Sequence, residues 1–251
     1  MNMLRATSLL AAGVIFAALG GCVQHLPRDH NRLAAYQEYR QGNYDEARER
    51  FERVLDADPT DWRSHYYAGV IALEHDNEPN AARRHLSIAY EIYEGRATRR
   101  LNYEIGDPQT GVPYPTRAEI LDAKAEAIYQ QNHEQALHAF LRRAIQSHGT
   151  PADYMRMGRY MERIGDHDSA RSAYRSAVRM VGPNDPVPYL RLADFYENIG
   201  NYGRALVELR KAYGIDPQNR EANRRLRGHG VTPGPTAALA HDWEDGDGDG
   251  D

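Results

Sequence analysis

The sequence predicts an all-α chain, an α-solenoid built from stacked helical hairpins, on three observations. The stretch QGNYDEARERFERVLDADP at residues 41–59 is nearly rewritten as IGNYGRALVELRKAYGIDP at residues 199–217. Gly42, Tyr44, Ala47, Phe51, Val54 and Pro59 stand at the same offsets as Gly200, Tyr202, Ala205, Leu209, Ala212 and Pro217. Within each copy the apolar and small residues fall on stripes at helical spacing, so each reads as part of two amphipathic helices that face one another. The aromatic content is shifted from Phe (4) to Tyr (17), which suits helices whose rings are half buried with the hydroxyl in water. One such hairpin cannot bury its apolar face alone, so the chain repeats itself because each unit is stabilised by its neighbour.

The first 22 residues are a separate element. MNMLR is a short n-region with one positive charge, and ATSLLAAGVIFAAL is an apolar run of signal-peptide length, short for a membrane span. It ends in Leu19, Gly20, Gly21 and Cys22, which resemble the lipobox of bacterial lipoproteins, and Cys22 is the only cysteine, so no intramolecular disulfide forms. The resemblance implies a signal peptide over residues 1–21, an acylated Cys22 and a tether over residues 22–27. Several acyl chains on one residue hold a protein stably at a bilayer without spanning it, each buried CH₂ contributing about 0.8 kcal/mol. Val23 and Gln24 stand where an inner-membrane retention Asp would, which implies the outer membrane, facing the periplasm. A plain signal peptide with an incidental cysteine is the other reading of the same residues.

The repeating units follow in order. Residues 28–93 hold two: the first gives Ala34, Ala35, Gly42, Tyr44, Ala47, Phe51, Val54 and Pro59. The second starts at Trp62 and gives Gly69, then Ala82, Leu86 and Ala89 slipped by one residue through HDNEPN. Residues 94–116 are rich in Gly, Pro and Thr and read as an irregular insertion, which is either functional, with Tyr103 and Tyr114 in a polar loop, or a bland excursion. Residues 117–148 are helical in composition, but Lys124 and Arg143 fall where small residues belong, so this is a degenerate helical pair. Residues 151–219 hold two more units. The first gives Tyr154, Met157, Gly158, Gly165, Ala170, Tyr174 and Ala177; the second gives Tyr189, Leu192, Ala193, Tyr196, Gly200, Tyr202, Ala205, Leu209, Ala212 and Pro217. Residues 220–228 read as a capping helix around Leu226, and residues 229–251 as a disordered tail that ends acidic.

On a 34-residue frame these residues resemble the tetratricopeptide repeat, and the last unit matches its pattern completely. The resemblance implies a right-handed superhelix in which small residues let paired helices approach and Pro stops each second helix. It also implies a concave groove that binds a protein or peptide partner. Its lining would include Arg32, Tyr36, Tyr39, Arg40, Tyr66, Arg159, Glu162, Arg163, Asp194 and Glu197, rich in the Arg and Tyr of binding hot spots. Tyr36 and Tyr66 read equally well as covers over neighbouring helices. The family's carboxylate clamp asks for Lys and Asn where this chain has Arg32 and Tyr36, so chaperone C-terminal tails are not its expected ligand.

The formal net charge is −5, and the last ten residues alone carry six acids, whereas residues 142–227 hold 16 Lys and Arg against 10 Asp and Glu. An exported chain does not meet nucleic acid, so none is expected as a partner, and the basic excess reads as a solvated face or a contact for anionic lipid or peptidoglycan. No HExxH, GxSxG or phosphate-loop motif appears, His133 and His138 do not share a helix face, and Asp166 and Asp168 read as helix caps. Asp245, Asp247, Asp249 and Gly250 match only the front half of a calcium loop. The expectation is therefore a scaffold for envelope assembly with no catalytic residues, metal or cofactor. The alternative is a structural envelope protein that holds peptidoglycan or anionic lipid through its basic face or tail.

Overall fold

A computed structural model of the protein describes residues 28–97 and 113–239. The predicted leader, tether and acylated Cys22, residues 98–112 of the insertion with Tyr103, and residues 240–251 with the calcium-loop fragment lie outside the described residues. Among those described, the chain runs through α1 (Arg28–Gln41), α2 (Tyr44–Ala57), α3 (Trp62–Glu74), α4 (Pro79–Ala97), α5 (Arg117–Tyr129), α6 (Glu134–His148), α7 (Pro151–Ile164), α8 (His167–Val181), α9 (Val187–Asn198), α10 (Tyr202–Ile215) and α11 (Arg220–Gly228). Consecutive helices pair into five hairpins, with α11 added to the last. The first helices of successive hairpins also meet, α3 on α5, α5 on α7 and α7 on α9. The architecture is the predicted all-α solenoid.

Each hairpin closes through one residue in the left-handed region: Gly42, Gly165 and Gly200 at φ 83, 84 and 77°, Asn77 and Asn132 at φ 55 and 54°. Glycine or a short amide takes this conformation at the lowest steric cost, which explains why the second and third hairpins lack the glycine of the pattern. Caps fix the helix starts. Thr150 and Asp153 form a reciprocal box with Pro151 in the first turn of α7, Thr116 and Glu119 do the same for α5, and the side chain of Asp166 accepts from the Ser169 amide to start α8.

Inside the hairpins Ala47, Phe51, Ala82, Leu86, Ala170 and Ala177 are fully buried, as are Ala193, Ala205 and Leu209. In the degenerate third hairpin α5 leans more on α4 than on its own partner α6. Lys124 stands where a small residue belongs, and its ammonium lies 4.6 Å from the Tyr90 ring centroid and 4.8 Å from that of Phe140. Burial there lowers its pKa to about 8.

Two boundaries differ from those read in the sequence. Helix α4 continues to Ala97, past the expected break at residue 94, because Glu94 is held by Arg117 of α5 at 3.0 Å and by His148 of α6 at 3.5 Å. The tail predicted as disordered from residue 229 is ordered to residue 239. Gly230 at φ 75° turns the chain after α11, and the Val231 amide donates to the Leu226 carbonyl at 2.9 Å. Residues 231–239 then lie along α10: Ala237 is buried, Arg210 donates to the Ala237 and Thr236 carbonyls at 2.9 and 3.0 Å, and the Leu239 amide donates to the Arg210 carbonyl at 3.3 Å. The strap adds to the cover that α11 gives the last hairpin, which no further hairpin follows among the described residues.

Candidate functional site

The first helices of three successive hairpins, α3, α5 and α7, leave between them an open groove of about 860 Å³. Val70, Leu73 and Ala123 give it an apolar lining, and Tyr66 and Tyr160 give it aromatic faces; its charges come from Glu74, Glu119, Asp122, Glu126, Arg159 and Arg163. The last four form two parallel rungs. Asp122 and Glu126 are one helical turn apart on α5, Arg159 and Arg163 one turn apart on α7, so the two pairs face each other in register. Arg159 pairs with Asp122 and Arg163 with Glu126. Arg163 also lies 3.9 Å from the Tyr129 ring centroid and 5.2 Å from that of Tyr160, while the Tyr160 hydroxyl donates to Glu126 at 3.1 Å. The Arg163 hydrogen bond keeps the Glu126 carboxyl below the usual range, and burial pushes the Tyr160 phenol up.

Of the residues predicted for the groove, the structure brings Tyr66, Arg159 and Arg163 together. Tyr36 and Tyr39 belong to an aromatic cluster around Tyr67, with centroids 5.3 and 5.2 Å from it, and are half buried against the first hairpin. Arg40 is exposed near the end of α1 and meets no partner among the described residues. Arg32 does not line a groove. Its side chain is 2% exposed and pairs with Asp61 at 2.7 Å, itself 2% exposed, because the start of α3 folds over it. Glu162 is taken up inside the stack, accepting from Tyr174 of its own hairpin at 3.1 Å and from Asn198 of the next at 2.7 Å. Asp194 and Glu197 are occupied by the cap. Arg225 of α11 lies 2.6 Å from Asp194 and 3.1 Å from Glu197, and His229 bonds Glu197 at 2.7 Å. These two positions are therefore closed by the chain's own cap helix.

The sequence reading missed Glu74 and the acidic face of α5. Glu119, Asp122 and Glu126 recur at helical spacing, which is the signal that finds them. Two other features involve residues that do not line this groove. Asp45, His75 and Asp76 bring three potential ligand atoms within 4.8 Å of one another, yet Arg48 already sits there, 2.9 Å from Asp45 and 2.6 Å from Asp76. A second open cleft of about 840 Å³ is lined by His138, Arg142, Arg143 and Asp166 among others, between α6 and the turn joining α7 to α8. Among the described residues no helix is long and apolar enough to cross a membrane.

Comparison with solved structures finds the same fold. The crystal structure of PilW, a widely conserved type IV pilus biogenesis factor, matches with a TM-score of 0.54 at 16% identity, over 80% of this chain and 83% of that one. The crystal structure of the MamA protein matches with a TM-score of 0.52 at 19% identity, over 83% of this chain and 98% of that one. At these identities the likeness establishes the fold alone. A comparison with curated proteins returns no match. The tetratricopeptide repeat model matches residues 32–97 and 155–220, together more than half of the sequence and the two regions where the hairpins keep the pattern most fully. The chain belongs to the tetratricopeptide repeat family.

Proposed function

We propose that this protein is a lipid-anchored interaction scaffold whose groove holds a segment of a protein partner during assembly of the bacterial envelope. The observation that carries the reading is the open groove along α3, α5 and α7, where aromatic faces, an apolar lining and oriented charges come from three different units. Such a surface selects a chain segment by shape and charge, and its rigidity follows from the stacking that also makes the fold. Lipid at Cys22, supported by Leu19, Gly20 and Gly21 before it, fixes the scaffold at the bilayer. Val23 and Gln24 support the outer membrane, facing the periplasm. Outer-membrane protein insertion, pilus assembly and secretion complexes all lie within this reading, and the shared architecture of PilW is consistent with the second.

Two experiments test it. Photocrosslinking from Tyr66 and Arg159 in living cells is expected to give discrete protein adducts that are lost from positions on the outer helices; adducts of equal strength from both faces reject the groove. Mass spectrometry of the membrane fraction is expected to find a mature chain beginning at an acylated Cys22, and Cys22→Ser to abolish that species. An unmodified residue 22 with the leader still attached rejects the anchor. The alternative, a structural protein holding peptidoglycan or anionic lipid, draws on the second cleft, where Arg142 and Arg143 are exposed and unpaired among the described residues. Co-sedimentation with purified sacculi and with anionic vesicles, compared with an Arg142→Glu, Arg143→Glu variant, separates the two readings.

A further inference from the structure

One end of the groove already encloses a cation of the chain, and the other end combines an aromatic ring with carboxylates. In the filled half, aromatic faces of Tyr129 and Tyr160 and the carboxylate of Glu126 enclose a guanidinium, that of Arg163. In the open half, the Tyr66 ring shares the groove with Glu74 and Glu119, and no cation of the chain lies over Tyr66 among the described residues. Among the described residues Glu119 serves only the cap of α5, where it accepts from the Thr116 amide and hydroxyl at 2.7 and 2.8 Å. Glu74 is exposed and has neither hydrogen bond nor ion pair among the described residues.

We propose that the segment held in this groove is a polypeptide that presents lysine or arginine side chains to the Tyr66, Glu74 and Glu119 end. The inference rests on the groove reading above and adds the chemistry of the occupant. Four carboxylates and two guanidiniums line the groove, so its net charge is negative. Both guanidiniums already meet a carboxylate, Arg159 that of Asp122 and Arg163 that of Glu126. Among the described residues lining the groove no cation is left to receive an acidic peptide, whereas a Lys or Arg entering beside Tyr66 finds an aromatic face and, in Glu74, a carboxylate with no partner among those residues. The electrostatics agree: burial raises the Tyr66 phenol pKa, and Glu119, Glu74 and Asp122 raise it further, as a negative potential does. The chain's own acidic end has the wrong sign for this site.

The test is fluorescence anisotropy with the full chain in mild detergent at physiological ionic strength. The probes are three fluorescein-labelled peptides of about 12 residues, identical except at four positions set to Lys, Gln or Glu. The Lys peptide is expected to bind about tenfold or more tightly than the Glu peptide, with the Gln peptide between them. Glu74→Lys is expected to weaken the Lys peptide about fivefold and to strengthen the Glu peptide. Glu52→Lys, an exposed change on α2 outside the groove, leaves both unchanged. Equal binding of the three peptides, preference for Glu, or no binding overturns the proposal. So does loss of Lys-peptide binding when residues 242–251 are removed, which assigns it to the acidic end. An affinity that rises about tenfold when Arg99 and Arg100 are replaced by Ala would assign the groove to the chain's own insertion and also overturn it. If any of these occurs while crosslinking from Tyr66 still gives discrete adducts, the charge assignment fails alone; loss of the adducts as well rejects the groove reading with it.

Discussion

A Cβ added at Gly158 would sit 2.7 Å from a carbon of the Tyr174 ring, which is itself buried against Phe195 and bonded through its hydroxyl to Glu162. The glycine is there to let α7 and α8 approach, so Gly158→Ala is expected to destabilise by about 1–3 kcal/mol in chemical denaturation. The cost should shrink in a Tyr174→Leu background, because the clash and not the helix backbone is responsible. A different residue-scale device couples α3 to α4. The Nδ1 atoms of His65 and His85 are 3.0 Å apart, and His65 Nε2 is 3.1 Å from the Pro59 carbonyl. A carbonyl only accepts, so His65 carries its proton on Nε2 and its bare Nδ1 receives the Nδ1–H of His85. Burial lowers the pKa of both rings, that of His85 to about 4, with His65 and Arg84 adding to the effect on His85. The unfolded chain thus takes up protons that the folded chain refuses between pH 6.5 and about 4. The pair's contribution is complete above 6.5 and is lost as the pH falls through that window. The depressed carboxyls of Glu126 and Glu197 act only at the acid end of it, below their ordinary value of 4.5, and that of Asp166 below the window, under 3.8. The melting temperature is expected to drop between pH 6.5 and 5, a change worth of order 1 kcal/mol, and His85→Leu to flatten that limb. An unchanged slope in the variant would exclude the pair as its source.

Among elements, a buried ion pair ties α1 to the start of α3, beside the apolar packing of Ala35, Tyr36 and Tyr39 on α2 and α3. Asp61 caps α3 by accepting from the Arg63 amide at 3.2 Å and holds Arg32 of α1 at 2.7 Å. Removing the carboxylate leaves a buried guanidinium without that charge and α3 without its cap. Asp61→Ala is therefore expected to cost about 3–5 kcal/mol, with amide exchange accelerated in α1 and α2 before the later hairpins. Replacing both residues with apolar ones of similar volume should recover much of that loss. Arg32 also shows what the sequence makes legible and what it hides. The frame places it correctly on α1, but a frame assigns a face, and only packing against the following hairpin shows that this part of the face is covered. Asp194 and Glu197 are hidden in the same way by α11. The hairpins themselves are legible because Gly, Ala and Pro at fixed offsets report close approach and chain reversal, which are local requirements. The acidic face of α5 escapes the frame because Lys124 interrupts the small-residue pattern there, while the rungs to Arg159 and Arg163 depend on the register between two helices 37 residues apart.

For the molecule as a whole, stability is a sum over units and the contacts between neighbours, so the ends decide whether the stack frays. The last hairpin has two covers: α11, through Ala222 and Leu226, and the strap of residues 231–239, through Ala237 and the carbonyls that Arg210 holds. Composition alone, Pro, Gly and Thr followed by acids, does not distinguish the strap from a tail, because its order comes from a few apolar residues and backbone bonds that meet α10 beside α11. Truncation after Gly230 should therefore act locally. It is expected to destabilise the last hairpin by about 1–3 kcal/mol, from the apolar area it uncovers and the backbone bonds it removes, and to raise amide exchange in α10 and α11. Exchange in α1 to α4 should stay at the level of the full chain, since those hairpins keep their neighbours. Truncation at residue 241, which removes only the acidic end, should change neither. Uniformly faster exchange along the whole chain after the first truncation would show a single cooperative unit and contradict the neighbour-by-neighbour account.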